Sequence, residues 1–106
     1  MPMDTRELKR RVCEAIDRHR DEIIGLGRTI RDNPEVGFKE FKTAAAVAKT
    51  FAAHGIPYQD KLAITGVKGI LTGAGAGPTV GILGELDSLI CAESQYADKA
   101  TTAAHT

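Results

Sequence analysis

The chain lacks an excess of charge of either sign: fourteen basic side chains balance fourteen acidic ones, for a formal net charge of zero. Its one basic block is Lys9-Arg10-Arg11, which reads as the solvated face of a helix and not as the footprint of a nucleic-acid binder. Cysteine is scarce too. Cys13 and Cys91 lie far apart, fit no paired metal-ligand spacing, and read as reduced thiols of a cytosolic protein. The opening Met-Pro-Met-Asp-Thr has no basic region leading into an apolar stretch, as a secretory signal would. The longest uncharged run, residues 69–84, is shorter than the roughly 20 residues of a membrane-spanning helix, and glycines and Pro78 interrupt it. These absences lead us to expect a cytoplasmic protein that engages neither nucleic acid nor membrane.

What is present fits one small domain or part of a larger one: 106 residues, 42% hydrophobic and 26% charged. Asp4 or Thr5 can cap a helix, after which Leu8, Val12, Ile16, His19, Ile23, Leu26 and Ile30 recur at helical spacing. That pattern predicts one long helix with an apolar stripe, and His19 within it reads as a hydrogen-bonded core or boundary residue. Asn33-Pro34 ends it, because the residue before proline is pushed out of the α region. A turn over Pro34-Glu35-Val36-Gly37-Phe38 leads to a second predicted helix, from about Lys39 to His54. Its apolar face is Phe41, Ala44, Ala45, Val47, Ala48 and Phe51, and Gly55 stands where a left-handed cap is needed.

Beyond Gly55 the period changes. Ile56-Pro57-Tyr58 begins an extended segment, and Val67-Lys68-Gly69-Ile70-Leu71 reads as a strand. Thr79-Val80-Gly81-Ile82-Leu83 shows no polar alternation after Thr79, the signature of a strand buried on both faces. The fold class expected is therefore α/β: two amino-terminal helices, then strands of a mainly parallel, helix-covered sheet. The tract Gly73-Ala74-Gly75-Ala76-Gly77-Pro78 invites a phosphate-loop reading, but it leads into Pro78 and a strand instead of a helix amino end. A flexible hairpin connection fits it better.

Chemistry is expected at Gly84-Glu85-Leu86-Asp87-Ser88-Leu89. Two carboxylates leave the end of an apolar strand, and alternation places Glu85 and Asp87 on one side. In open α/β sheets the ligand crevice lies outside the carboxyl ends of strands, where acidic groups can bind a metal, orient a metal-bound histidine or handle a proton. A Glu-x-Asp pair also commonly caps a turn. The chain then runs to Ala103-Ala104-His105-Thr106.

In order, Asn33-Pro34-Glu35-Val36-Gly37-Phe38, the Gly-Val at Gly66, Gly77-Pro78-Thr79-Val80-Gly81-Ile82 and Glu85-Leu86-Asp87-Ser88-Leu89 resemble the opening of M20-family metallohydrolases. The nearest branch acts on N-acyl amino acids, hippurate-like amides and aminobenzoyl-glutamate. In that branch a His-Xaa-Cys-Gly-His motif follows the acidic segment, and His105-Thr106 is similar to its first two positions. Three departures stand near the expected site: Glu85 for an aspartate, Ser88 for an alanine and Ile90 for a proline.

The resemblance implies that residues 1–106 are the amino-terminal part of a catalytic domain, with a lid and dimerisation domain and most metal ligands elsewhere. The partners it implies are the remainder of the same enzyme, a small-molecule substrate bearing an amide or aryl amine, and a second subunit. It further implies two divalent ions, Mn or Zn, and a metal-activated water that hydrolyses a C–N bond. By the same resemblance Asp87 orients a ligand, Glu85 stands beside it, and His105 borders the metals. A subgroup of the family releases an aryl amino group as ammonia, and the altered segment 85–90 is compatible with such a changed substrate. The reading from another class is a stand-alone small α/β binding or interaction domain. Against it, a strand buried on both faces needs neighbours on both edges, and a domain this short is near the size at which core burial becomes marginal.

Overall fold

A computed structural model describes residues 2–96. The chain divides at residues 32 and 33 into two compact units. The first holds helices α1 (Thr5–Arg18) and α2 (Arg20–Asp32). Asp4 caps α1: its backbone is extended, and its carboxylate accepts the Arg6 N–H at 3.3 Å. Arg10 links to Glu7 through two bonds, at 2.6 and 2.9 Å, and to Glu14 on the next turn. These pairs make the basic block a solvated helix face, as its sequence predicts.

The single long helix is corrected at His19. There the backbone takes φ −100° and ψ 13°, and the His19 N–H divides between the carbonyls of Ala15 and Ile16, at 3.2 and 3.1 Å. Such sharing between i−3 and i−4 tightens the turn and separates α1 from α2. The His19 ring is exposed and pairs with Glu22 at 3.4 Å, so it is not a core residue. The stripe has the expected spacing, yet neither helix has a buried residue. α2 ends at Asp32, one residue before Asn33-Pro34.

The second unit is built around α3 (Phe41–Ala53) and an antiparallel hairpin of β1 (Tyr58–Leu62) and β2 (Gly66–Gly69). α3 ends in a Schellman turn. The Gly55 N–H donates to Ala52 at 3.1 Å, the Ile56 N–H donates to Phe51 at 2.9 Å, and Gly55 takes φ +66°. That turn aims the chain back along α3, which touches both strands. In the hairpin Tyr58 pairs with Gly69, Gln59 with Lys68 and Leu62 with Gly66, with a bulge between Gln59 and Leu62. A Cβ on Gly69 would lie 3.0 Å from the Phe51 ring, so the glycine lets β2 press against α3. The Phe51 and Tyr58 rings meet at a tilt of 34°, with their centroids 6.3 Å apart.

Three further expectations need correction. The mainly parallel, helix-covered sheet is absent among the described residues, whose strands form one antiparallel pair. The predicted strand at 67–71 is Gly66–Gly69, and Leu71 stands exposed beyond it. Residues 79–83 form no strand and bury no face: Val80 is 83% exposed, Ile82 97% and Leu83 96%. A strand exists only where another strand accepts from its N–H groups and donates to its C=O groups, and the described residues offer this segment none. For the same reason residues 73–77 connect no hairpin among the described residues. No helix among the described residues is long and apolar enough to cross a membrane.

Candidate functional site

No apolar side chain among the described residues is buried; the buried ones are Glu40, Thr43 and Thr65. This polar cluster begins with a deficiency. The residue before α3 is Glu40, whose side chain makes no capping bond, so the first N–H groups of the helix need another acceptor. Glu35 supplies it from the preceding turn. One carboxylate oxygen accepts the Thr43 N–H at 2.6 Å and the Thr43 hydroxyl at 2.7 Å, and the other accepts the Lys42 N–H at 3.0 Å. Partial burial alone pushes the Glu35 carboxyl up, but the N–H groups of Lys42 and Thr43 and the Thr43 hydroxyl outweigh it and hold it below its ordinary range. The positive end of the helix dipole acts in the same direction.

Glu40 turns the other way. Its carboxylate accepts the Thr65 hydroxyl at 2.5 Å, tying the start of α3 to the hairpin turn. That bond, aided by its own backbone N–H, holds the Glu40 carboxyl below the usual carboxylate range, while the nearby Glu35 charge opposes it.

The acidic segment enters through this same turn. The Ser88 N–H donates to the Glu35 backbone carbonyl at 2.8 Å, and the Ser88 hydroxyl reaches the same oxygen at 3.4 Å. Within the turn the Lys39 N–H donates to Val36 at 3.0 Å, and Phe38 takes φ +63° with its ring exposed. Two sequence motifs separated by fifty residues, the Pro34-Glu35 turn and the Glu85–Ser88 segment, therefore meet at residue 35.

Glu85 and Asp87 are both exposed, and Asp87 is one peptide from the anchored Ser88. His105 lies outside the described residues, so its expected place beside them is not described. Among the described residues no group of three or more His, Cys, Asp or Glu side chains converges as a metal site. Cys13 is exposed, Cys91 is half-buried, and both are free thiols. The arrangement thus holds a pair of solvent-facing carboxylates on a fixed attachment, able to accept from a donor or a cation.

Glu35, Thr43, Glu40 and Thr65 escaped the reading of the sequence. A signal for Glu35 was there, in the poor capping residue before α3 and a glutamate on the turn leading to it.

Comparison with known proteins finds relatives that are named as hydrolases and peptidases. The chain is 35% identical over 69 residues to IAA-amino acid hydrolase ILR1-like 5 of Arabidopsis thaliana, covering 65% of this chain and 16% of that protein. It is 36% identical over 70 residues to thermostable carboxypeptidase 2 of Saccharolobus solfataricus, covering 65% of this chain and 18% of the relative. With hippurate hydrolase of Campylobacter jejuni the identity is 30% over 87 residues, 79% of this chain and 23% of the relative. The chain thus spans less than a quarter of the length of these curated relatives. No family model matches it. No solved structure matches it either.

Proposed function

We propose that the chain belongs to the M20 family of metallohydrolases and contributes the amino-terminal part of an enzyme that hydrolyses a C–N bond. The observation that carries this is its similarity to hydrolases of amide-like bonds, whose names specify amino acid conjugates, peptides or hippurate. The ordered motifs from Asn33 to Leu89 support it.

In this reading Asp87 orients groups at the reaction centre, Glu85 stands beside it, and the Glu35 turn holds the segment. Two divalent ions, Mn or Zn, belong to the proposal through the family resemblance. The described residues do not make a metal centre by themselves, and His105 is the proposed contribution of this chain. The remainder of the enzyme supplies the other ligands, the neighbours of residues 79–83, and a domain for pairing with a second subunit. The substrate class is an amide of an amino acid. Glu85, Ser88 and Ile90, as departures from the family pattern, are compatible with a second reading in which an aryl amine is hydrolysed and ammonia released.

The test is an assay of the complete gene product on an N-acyl amino acid and on an aminobenzoate, before and after treatment with a chelator. Release of the amino acid, lost on chelation and regained with Mn or Zn, is expected. Release of ammonia from the aminobenzoate alone selects the second reading. Full activity after complete metal removal, or no hydrolysis of either compound, overturns the proposal.

A further inference from the structure

Residue 35 serves two elements with two different groups. Its carboxylate is held by three donors at the start of α3, those of Lys42 and Thr43, and Thr43 is only 3% exposed. Its backbone carbonyl accepts the Ser88 N–H at 2.8 Å. The Ser88 N–H and the Asp87 carbonyl belong to one planar peptide unit, so fixing the first fixes the plane from which residue 87 departs. The segment before Ser88 has no ladder of its own: residues 79–87 are irregular, and Glu85 and Asp87 are exposed. The bond to residue 35 therefore ties the acidic segment to the α3 unit.

We infer that Glu35 is a positioning residue for Asp87, its carboxylate anchored on α3 so that its carbonyl holds the Asp87–Ser88 peptide in place. This rests on the reading that Asp87 serves a hydrolytic site. The Ser88 hydroxyl is an accessory, since the backbone N–H makes the shorter bond to the same oxygen.

The experiment uses the complete gene product and its amide hydrolysis, with Glu35→Ala, Glu35→Gln, Asp87→Asn and the Glu35→Gln/Asp87→Asn pair. Hydrogen exchange of the Ser88 amide is followed in parallel. Glu35→Ala is expected to lower kcat on the order of 10²-fold, the cost of a misplaced group about 1 Å from its productive position, with KM changed far less. Glu35→Gln keeps one acceptor for Thr43 but sets its NH2 against the other N–H, so it is expected to lose less kcat than the alanine variant but still measurably, with Ser88 exchange quickened to a smaller degree. Ser88 exchange should quicken at least about tenfold in Glu35→Ala, as expected for an amide released from a local hydrogen bond. In the Asp87→Asn background Glu35→Gln should cost nothing further, because the two residues act as one unit. Should the alanine variant fail to fold, the glutamine cycle and its Ser88 exchange decide alone.

Unchanged Ser88 exchange in the Glu35 variants overturns the inference. So does a Glu35→Gln loss of equal size with and without Asp87. Undiminished kcat in Asp87→Asn instead overturns the reading beneath it, while the exchange result still reports on the link between residues 35 and 88.

Discussion

Residues 40–70 close on themselves, whereas residues 71–96 do not, although both follow the same turn in the same unit. In the first stretch each backbone requirement is met nearby. Glu35 caps α3 from outside, Gly55 ends it, and Thr65 returns to Glu40 from the hairpin turn. In the second, Leu71, Val80, Ile82 and Leu83 face solvent, and the Ser88 bond to residue 35 is an attachment made through the backbone. The difference shows which kind of signal a segment carries. A cap or a tight turn is complete within a few residues, whereas an apolar strand states only half of a pairing.

The sharpest way to break this comparison is a charge at residue 82. In the chain as described Ile82→Asp should change stability by less than about 0.5 kcal/mol, as for an exposed site. In the complete gene product, where we propose that other strands flank it, the same change should cost about 3–5 kcal/mol by burying an unpaired carboxylate. Denaturant unfolding of the complete protein measures this, and equal tolerance in both settings would remove the need for flanking strands.

Next in size is Glu35→Ala, which strips acceptors from the N–H groups of Lys42 and Thr43 and from the nearly buried Thr43 hydroxyl. A loss of about 3 kcal/mol is expected from unsatisfied donors that had been paired to a charged group. Thermal unfolding is the measurement, and an unchanged midpoint would show that water replaces the carboxylate without cost.

A smaller effect is expected with pH. Glu35 and Glu40 both have carboxyls held below their ordinary range in the folded state. Their contribution is thus fully present above the unfolded carboxylate value of about 4.3 and is lost as pH falls through the lower folded values. Thr65→Val removes the donor that does most to hold Glu40 down, so it should lower the melting midpoint near neutrality. It should also flatten the fall in stability below about pH 4.3. An acid limb of unchanged steepness in Thr65→Val would contradict the role given to that hydroxyl.

The smallest expected effect is a gain. Ile64 sits in the hairpin turn at φ +82°, a region a β-branched residue enters only under strain. Ile64→Gly should raise stability by roughly 0.5–1 kcal/mol, relief of strain exceeding the entropy lost by glycine. A fall in the melting midpoint would show that the side chain contributes packing that outweighs the strain.

Legibility in the sequence followed the same division. Asp4, Asn33-Pro34 and Gly55 act on their immediate neighbours, and each marks a helix boundary within a residue or so of where it lies. His19 defeated the pattern because spacing identifies a stripe without saying whether the helix beneath it is continuous. The start of α3 fell two residues later than expected, at Phe41, since its capping group is drawn from residue 35 and not from an adjacent side chain. Glu85 and Asp87 stood out as a carboxylate pair. Their attachment was invisible because a backbone carbonyl makes it, and every residue type carries one. The parallel sheet was inferred from residues 79–83 alone, which name no partner.

The exposure of that segment has a practical side as well. A run containing Val80, Ile82 and Leu83 with no ladder is a template on which like segments from other molecules can add as strands. Pro78 lacks an N–H to extend such pairing, and the glycines at 81 and 84 weaken it. Placed within and beside the exposed run, these residues limit its self-association.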